Sequence, residues 1–273
     1  MAPQDAPGPD RRVARARLSL RTANPHPVEP AYRRIAAFGG WLMRRLTRQD
    51  WDDAGRLPSE GGVVVVANHV SNADPLVVAH YLIWNGRWPR FLAKVEVFSM
   101  PLVGWVARAT GQIPVQRGSE QAAASLVPAE DALRGGACIL VYPEGTITTD
   151  PDGWPMTGRT GAARLALNTG APLVPLGQWG AQRLLGGKRP AWPRLLPVPT
   201  MTIRTGPAID LADLAGRTDP EAVQIATERM MAAITDLVAQ IRGESAPAER
   251  LDPRLGERVA QRHVRPGSGA AER

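Results

Sequence analysis

A run of four valines, Val63 to Val66, places the strongest single constraint on the fold of this 273-residue chain. β-Branched side chains favour extended backbone, and a continuous apolar run predicts a buried strand. Asn68 and His69 follow the run, and Asp74 comes five residues after the histidine. Five residues on a helix turn through about 500°, so these two side chains do not share a helical face. If the two side chains interact, His69 lies in the turn after the strand and Asp74 lies at the start of the next helix.

Short apolar segments bounded by Gly, Pro or Asn alternate with segments of helical periodicity through the middle of the chain. The patterns predict strands at 62–67, 90–94, 112–116, 137–142, 172–176 and 200–205. They predict helices at 31–48, 75–85, 99–109, 119–134, 158–169 and 220–242. This alternation predicts an α/β fold in a single domain, with a mixed, largely parallel sheet flanked by helices and preceded by an amphipathic N-terminal helix.

The two ends of the chain differ from this middle part. Residues 1–30 are rich in Pro and Arg, residues 244–273 carry Gly, Pro, Ala and scattered charges, and neither segment has apolar periodicity. We predict that both are disordered tails around a folded domain at 31–243. The start lacks the apolar stretch of a secretory signal, and no window reaches about 18 consecutive apolar residues. We therefore expect a protein of the cytosol or of the cytosolic face of a membrane.

The composition favours acidic partners. The net charge of +7 at pH 7 suits nucleic acid, anionic lipid or a phosphorylated small molecule. The single cysteine, Cys138, excludes an internal disulfide, and its apolar neighbours predict an inert core residue. The histidines are scattered, so no metal site is indicated. The abundance of Ala and Arg is typical of a bacterial chain from a GC-rich genome.

The predicted helix at 31–48 is amphipathic. On a helical projection, five arginines fall within an arc of about 120°; they are Arg33, Arg34, Arg44, Arg45 and Arg48. Apolar side chains fill the opposite arc, and Trp41 lies on the basic side. A basic amphipathic helix with aromatic residues is typical of an anchor that lies in a membrane interface. The alternative is a helix packed on its own domain with a solvated arginine face.

Three later segments lie in or at the ends of predicted strands, and two of them carry polar side chains there. The segment 111–117 ends in an arginine, which is suited to hold a phosphate. The segment 142–146 follows a buried strand with a carboxylate and a hydroxyl in a tight turn. The third segment is a Val-Pro pair at 174–175 in an apolar strand. Taken singly, each also fits an ordinary turn, bend or edge strand.

Together and in this order, the four segments resemble those of the glycerolipid acyltransferase family, in particular the 1-acylglycerol-3-phosphate (lysophosphatidic acid) acyltransferases. The family's blocks are Asn-His-x4-Asp, then Gly-x-Ile-x-Val-x-Arg, then an aromatic followed by Pro-Glu-Gly-Thr, and finally an apolar Val-Pro pair. The matching residues here are Asn68, His69, Asp74, Gly111, Ile113, Val115, Arg117, Tyr142, Pro143, Glu144, Gly145, Thr146, Val174 and Pro175.

The resemblance implies an acyltransferase of phospholipid synthesis, which moves a fatty acyl group from acyl-CoA or acyl carrier protein to lysophosphatidic acid and so gives phosphatidic acid. His69 would be the general base and Asp74 would orient it. The implied partners are the acyl donor, the lysophospholipid acceptor and an anionic membrane surface, with no cofactor, metal or nucleic acid. The implied substrate-binding residues are Gly111, Arg117, Glu144, Gly145 and Thr146, with Lys94 as a further cation.

One position departs from the family's pattern. The family commonly has an arginine after Glu-Gly-Thr, where this chain has Ile147. The phosphate would then depend more on Arg117 and Lys94, with Arg159 ranked below them. This departure leaves the reaction unchanged but opens the question of which lysolipid is preferred.

Other activities stay open. The acceptor could be another lysolipid or glycerol 3-phosphate. His69 and Asp74 also suit a hydrolase that uses water on thioesters or phospholipids. If the transfer instead passed through an acyl-enzyme, Ser71 and Cys138 would be the nearest candidate nucleophiles. A non-catalytic lipid-binding module ranks lower because His69 and Asp74 are both present. A nucleic-acid binder ranks last because no base-reading motif appears.

Overall fold

Seven strands form one mixed sheet in the part of the chain that the computed structural model describes, which is residues 18–52, 55–116, 126–188 and 192–261. The strands are β1 Arg48–Trp51, β2 Val63–Ala67, β3 Pro89–Lys94, β4 Ile113–Val115, β5 Cys138–Val141, β6 Leu173–Trp179 and β7 Thr200–Thr205. Their order across the sheet is β1-β7-β6-β2-β5-β3-β4. Neighbouring strands run parallel except β6 and β7, so β7 and β1 run against the rest of the sheet.

Helices cover both faces of this sheet. They are α1 Leu20–Ala23, α2 Pro30–Leu46, α3 Asp74–Trp84, α4 Val95–Ser99, α5 Pro101–Ala109, α6 Val127–Arg134, α7 Gly161–Thr169, α8 Ala181–Leu185 and α9 Pro220–Arg242. One face of the sheet packs against α2 and α3, and the other packs against α6, α7 and α9. An antiparallel hairpin follows α9 and consists of β8 Glu249–Asp252 and β9 Glu257–Ala260.

The valine run forms β2, which lies between β5 and β6 in the middle of the sheet. Val63 and Val65 belong to the core on the α2 and α3 side, whereas Val64 and Val66 belong to the core on the α9 side. A parallel strand covered on both faces has no solvent side, which explains the absence of polar alternation in the run. Pro175 is also central, because β6 pairs with β2 and β7, although proline usually marks an edge.

The predicted α/β fold is confirmed, and each predicted strand is present with small shifts at its ends. The helix predicted at 220–242 has the predicted bounds. Asp219 caps its start, since its side chain accepts a hydrogen bond from the backbone N–H of Ala222 at 3.0 Å. Gly243 ends it in the left-handed conformation that glycine adopts without strain.

Three helix predictions need correction. The helix predicted at 99–109 begins at Pro101 as α5, because Met100 is extended and Ser99 ends the separate short helix α4. The helix predicted at 31–48 ends at Leu46, and Arg48 begins β1. Of the helix predicted at 119–134, the structure shows 127–134 as α6, and 117–125 lies outside the described residues.

The predicted disordered tails are shorter than expected where the structure describes them. Residues 18–29 include α1, and Leu20, Ala23 and Val28 pack against the core. Residues 249–260 form the β8–β9 hairpin, in which Arg250 is buried. The remainder of both tails, 1–17 and 262–273, lies outside the described residues, so disorder there stays a prediction.

The N-terminal helix α2 is part of the packed domain. Tyr32 is buried and donates its hydroxyl to the carbonyl of Pro89 at 2.6 Å. Gly40 meets the ring of Trp84 so closely that an added Cβ would lie 2.2 Å from it. In the described chain no helix combines the length and the apolar character needed to cross a bilayer.

The outer surface of α2 carries aromatic side chains beside the exposed Arg34 and Arg45. Arg33 and Arg44 fold back over the rings of Trp88 and Trp84, respectively. Phe38 and Trp41 are exposed and stack with ring centroids 5.9 Å apart.

Candidate active site

The candidate site lies at the carboxyl ends of the neighbouring parallel strands β2 and β5. Val66 is paired with Val141 in the ladder between them. His69 follows Val66 by three residues and Glu144 follows Val141 by three, so both emerge at the same edge of the sheet. Ligand sites of open α/β sheets form at this edge.

His69 and Asp74 are in direct contact. Nδ1 of His69 lies 2.7 Å from Oδ2 of Asp74, whose side chain is fully buried. The same oxygen accepts hydrogen bonds from the backbone N–H groups of Val70 at 2.6 Å and Ser71 at 2.8 Å. The carboxylate therefore holds both the imidazole and the turn before α3. With Nδ1–H donated to Asp74, Nε2 is the atom left to take a proton.

Glu144 fixes the backbone of His69. Its Oε1 accepts the N–H of His69 at 2.8 Å, and its Oε2 accepts the N–H of Met156 at 3.1 Å. The backbone N–H of Thr148 donates to the carbonyl of His69 at 2.7 Å. Because its side chain is 1% exposed and both oxygens bind backbone amides, Glu144 is a positioning residue. Its implied role in binding substrate stays a prediction.

A largely apolar cavity of about 540 Å³ lies beside His69. Tyr142 lines this cavity and stacks on the imidazole of His69, with the two ring centroids 4.3 Å apart and the ring planes inclined by 17°. Lys94, Thr146 and Ile147 line the same cavity. Its apolar wall comes from α2, α3 and α5, and includes Ile35, Ala36, Leu76, Val103 and Val106. A hydrocarbon chain fits this lining.

The Gly145 turn is shaped by Arg159. Gly145 has a φ of +74°, and a Cβ added there would lie 2.5 Å from Nε of Arg159. The arginine ranked low from sequence therefore lies against the Pro-Glu-Gly-Thr turn. Ile147 is buried, so no cation stands at the position where the family commonly has arginine.

Residues 51–179, which contain all four motif segments, match the sequence profile of the acyltransferase family. Residues 51–179 are an acyltransferase-family domain. The paired His69 and Asp74 belong to the first of these motif segments, and the turn held by Glu144 belongs to the third.

Two relatives illustrate the similarity. A chloroplast 1-acyl-sn-glycerol-3-phosphate acyltransferase of Brassica napus is 28% identical over 128 residues, which cover 46% of this chain and 36% of the plant protein. A lyso-ornithine lipid O-acyltransferase of Pseudomonas aeruginosa is 32% identical over 163 residues, which cover 58% of this chain and 59% of the relative. The matched part is thus about a third of the plant protein and under two thirds of the bacterial one.

A solved structure shares the fold. The 1-acyl-sn-glycerophosphate (LPA) acyltransferase PlsC of Thermotoga maritima superposes with a TM-score of 0.60 at 22% sequence identity. The superposition covers 79% of this chain and 81% of the other. It therefore extends the structural similarity beyond the acyltransferase-family domain.

Gly111, another implied binding residue, lies apart from this arrangement. Gly111 lies before the amino end of β4, whereas the site is at the carboxyl ends of the strands. Its φ is +61°, and its carbonyl accepts a hydrogen bond from the Arg90 guanidinium at 2.9 Å. Gly111 is therefore a turn residue in this structure, and the substrate role implied for it stays a prediction. Arg117 lies outside the described residues, and its role stays a prediction.

The competing catalytic groups are occupied or inert. Oγ of Ser71 is buried and accepts the N–H of Ala73 at 3.0 Å. Burial raises the pKa of Cys138 to about 12, so its thiol stays protonated. His80 packs edge-on against Trp51 and Trp84, and burial lowers its pKa to about 3. Among the described residues no cluster of His, Cys, Asp and Glu could hold a metal ion.

Gln178 of β6 is a site residue that the sequence did not predict. It forms hydrogen bonds with Asn68, the residue before His69. Its backbone N–H donates to Oδ1 of Asn68 at 2.9 Å, and Nδ2 of Asn68 donates to the Gln178 carbonyl at 3.0 Å. Both residues are fully buried. Nothing in the sequence signals the pairing, because the partners are 110 positions apart.

Glu144 also makes stability depend on pH. Burial raises the pKa of Glu144 to about 8, against two opposing backbone hydrogen bonds. Between its ordinary pKa and about 8, the unfolded chain releases this proton while the folded chain keeps it. Stability contributed by this site therefore falls as pH rises through that window, by at most about 1.4 kcal/mol per pH unit.

We expect Glu144→Gln to flatten this dependence. Denaturant unfolding at pH 5, 6.5 and 8 would measure the free energy of unfolding of the wild type and the variant. The wild type should lose stability relative to the variant as the pH increases. Parallel curves would contradict the assignment of a protonated Glu144.

Proposed function

We propose that this protein transfers a fatty acyl group from a thioester donor to the free hydroxyl of a lysolipid, with lysophosphatidic acid as the first candidate acceptor. The observation that carries the proposal is the His69–Asp74 pair beside a largely apolar cavity. The names of the relatives support the same reaction class. Phosphatidic acid would be the product.

The proposed chemistry is a direct transfer. Nε2 of His69 accepts the proton of the acceptor hydroxyl while that oxygen attacks the thioester carbonyl. The new C–O bond forms a tetrahedral intermediate, the C–S bond then breaks, and the proton passes from His69 to the departing thiolate. Asp74 stabilises the imidazolium that exists between these steps. A thioester is already activated, so the reaction needs no acyl-enzyme and no cofactor.

Lys94, Gly145 and Thr146 would contact the acceptor near its free hydroxyl, since all three line the cavity beside His69. The donor is acyl-CoA or acyl carrier protein. Acylation of a different lysolipid is the second candidate, because Ile147 places an apolar side chain where the family commonly has arginine. The Pseudomonas aeruginosa relative, named for lyso-ornithine lipid, favours testing that acceptor too.

The test is thiol release from palmitoyl-CoA by the purified full chain, with and without acceptor. We expect release only when an acceptor is added, and a diacylated lipid as the second product by mass spectrometry. Parallel reactions would contain lysophosphatidic acid, lyso-ornithine lipid or glycerol 3-phosphate, and would be repeated with palmitoyl-acyl carrier protein. Equal release without any acceptor would instead identify a thioesterase.

We also propose that the protein acts at the cytoplasmic face of the membrane, with α2 and α5 in contact with lipid. The two helices pack together and both line the cavity beside His69. They also expose a patch of large apolar side chains, consisting of Phe38, Trp41, Leu102 and Trp105. A patch of this kind at the edge of an apolar cavity would let a lipid chain move from the bilayer to His69.

Membrane binding should depend on this patch. Because deletion of α2 would remove buried Tyr32, the sharper variant is Phe38→Ser combined with Trp41→Ser, which changes exposed residues only. We expect about tenfold weaker binding to vesicles of phosphatidylcholine and phosphatidylglycerol, measured by co-sedimentation. The matched control is Val127→Ser, an exposed residue of α6 on the other face of the sheet. Unchanged binding of the double variant would refute the patch as the contact.

A further inference from the structure

A second cavity of about 340 Å³ adjoins the one beside His69. The two share Leu92, Tyr142 and Gly145 in their walls, so they meet along the end of β5 and the turn that follows it. The second cavity lies toward α7, on the other face of the sheet from α2. A group bound there would be next to the turn that holds His69.

This second cavity is strongly basic. Arg159 comes from the loop before α7, Arg164 from the first turns of α7, and Arg254 from the turn between β8 and β9. No aspartate or glutamate is among the described residues that line it. The amino end of α7 also faces it, through Thr160 and Gly161, and adds a partial positive charge.

These three arginines differ from many others in the chain. Arg90, Arg204, Arg229 and Arg258 each form an ion pair with a carboxylate. Within the described residues, none of the three guanidinium groups at this cavity does so. Like charges gathered without a counter-ion repel one another, and a bound anion would remove that cost.

Hydrogen bonds and ion pairs connect the β8–β9 hairpin to the loop that follows Gly145 and to α9. The N–H of Thr157 donates to the carbonyl of Leu251 at 3.0 Å. Arg258 pairs with Asp150 at 2.7 Å, and Arg250 of the same hairpin pairs with Glu228 of α9 at 3.1 Å. These contacts hold the hairpin turn over the loop that follows Gly145. These contacts therefore fix the position of the hairpin turn, which carries Arg254, beside the second cavity.

We propose that this cavity binds a phosphate group of a substrate, and that Arg254 of the hairpin is one of its binding residues. Arg254 lies outside the segment 51–179 that matches the family, so this residue is a feature of the chain's own C-terminal part. Guanidinium groups bind phosphate through paired, charge-assisted hydrogen bonds. The phosphate belongs to the acceptor head group or to the carrier of the acyl donor. The proposal rests on the proposed acyl transfer.

The kinetic test uses Arg254→Ala in the full chain. We expect the KM for lysophosphatidic acid to rise about tenfold with kcat nearly unchanged, because the arginine binds without taking part in the chemistry. If the phosphate is that of the carrier, the KM for palmitoyl-CoA rises instead. Lyso-ornithine lipid carries no phosphate, so it distinguishes these two sources. If Arg254 binds the phosphate of the acceptor, Arg254→Ala should acylate lyso-ornithine lipid as well as the wild type does. If Arg254 binds the phosphate of the carrier, the variant should be impaired with this acceptor too.

The control is Arg48→Ala, which removes an exposed arginine at the start of β1, away from both cavities. A variant of Arg254 that matches this control in both KM values would overturn the proposal. Isothermal titration calorimetry with glycerol 3-phosphate tests the phosphate site independently of acyl transfer. It therefore distinguishes failure of this proposal from failure of the proposed function. Binding that weakens in Arg254→Ala would support the phosphate site even in a protein without acyl transfer.

Discussion

Replacing His69 by alanine is expected to lower kcat for acyl transfer by about 10²–10⁴-fold, which is the usual contribution of a general base. The imidazole lies beside the apolar cavity and is held there by Asp74. Its removal leaves the backbone hydrogen bonds of residue 69 to Glu144 and Thr148 in place. The fold should therefore persist, and the loss should appear in kcat rather than in the unfolding midpoint.

The measurement is acceptor-dependent thiol release, with circular dichroism to verify the fold. His26→Ala is the matched control, because His26 is partly exposed and lies away from this cavity. Added imidazole should restore part of the lost rate, since the variant leaves space for it beside Asp74. More than a tenth of the wild-type rate in His69→Ala would contradict the role of general base.

Replacing Asp74 by asparagine is expected to lower kcat by up to about 10⁴-fold, because the neutral amide neither orients the ring nor stabilises its charge. The change has a second effect on stability. Oδ2 of Asp74 accepts two backbone N–H groups besides the imidazole, and all are charge-assisted. We expect the free energy of unfolding to fall by about 2 kcal/mol.

Steady-state kinetics and urea unfolding would separate these two effects. Asp236→Asn, an exposed position on α9, is the matched control. The double variant of His69 and Asp74 should be about as slow as His69→Ala alone, because the pair acts as one unit. Independent, multiplicative losses would show that Asp74 does not work through His69.

Local sequence signals predicted much of the fold. The valines of β2 and the caps of α9 are signals of this kind, since each depends only on neighbouring residues. β1 was missed because Arg48, Gln49 and Asp50 carry no apolar alternation, and the strand exists through its pairing with β7. The β8–β9 hairpin was missed for the same reason: its short strands are polar and its position depends on distant contacts.

The site shows a similar division. The contact between His69 and Asp74 follows from a strand end, a turn and a helix start that are consecutive in the chain. The role of Glu144 could not be predicted from sequence, because its partners are backbone amides on two separate loops. Arg254 could not be predicted either, since the segment that carries it has no family motif.

The packing of α9 has a consequence for dissecting this protein. Met230, Met231 and Ile234 of α9 complete the core over β2, and β7 supplies the partner of β6 along its other edge. The segment 51–179 that matches the family contains neither element. A fragment cut at those limits would present an uncovered apolar sheet face and an open strand edge, and it would aggregate rather than fold. The segment that matches the family is therefore smaller than the unit of cooperative folding.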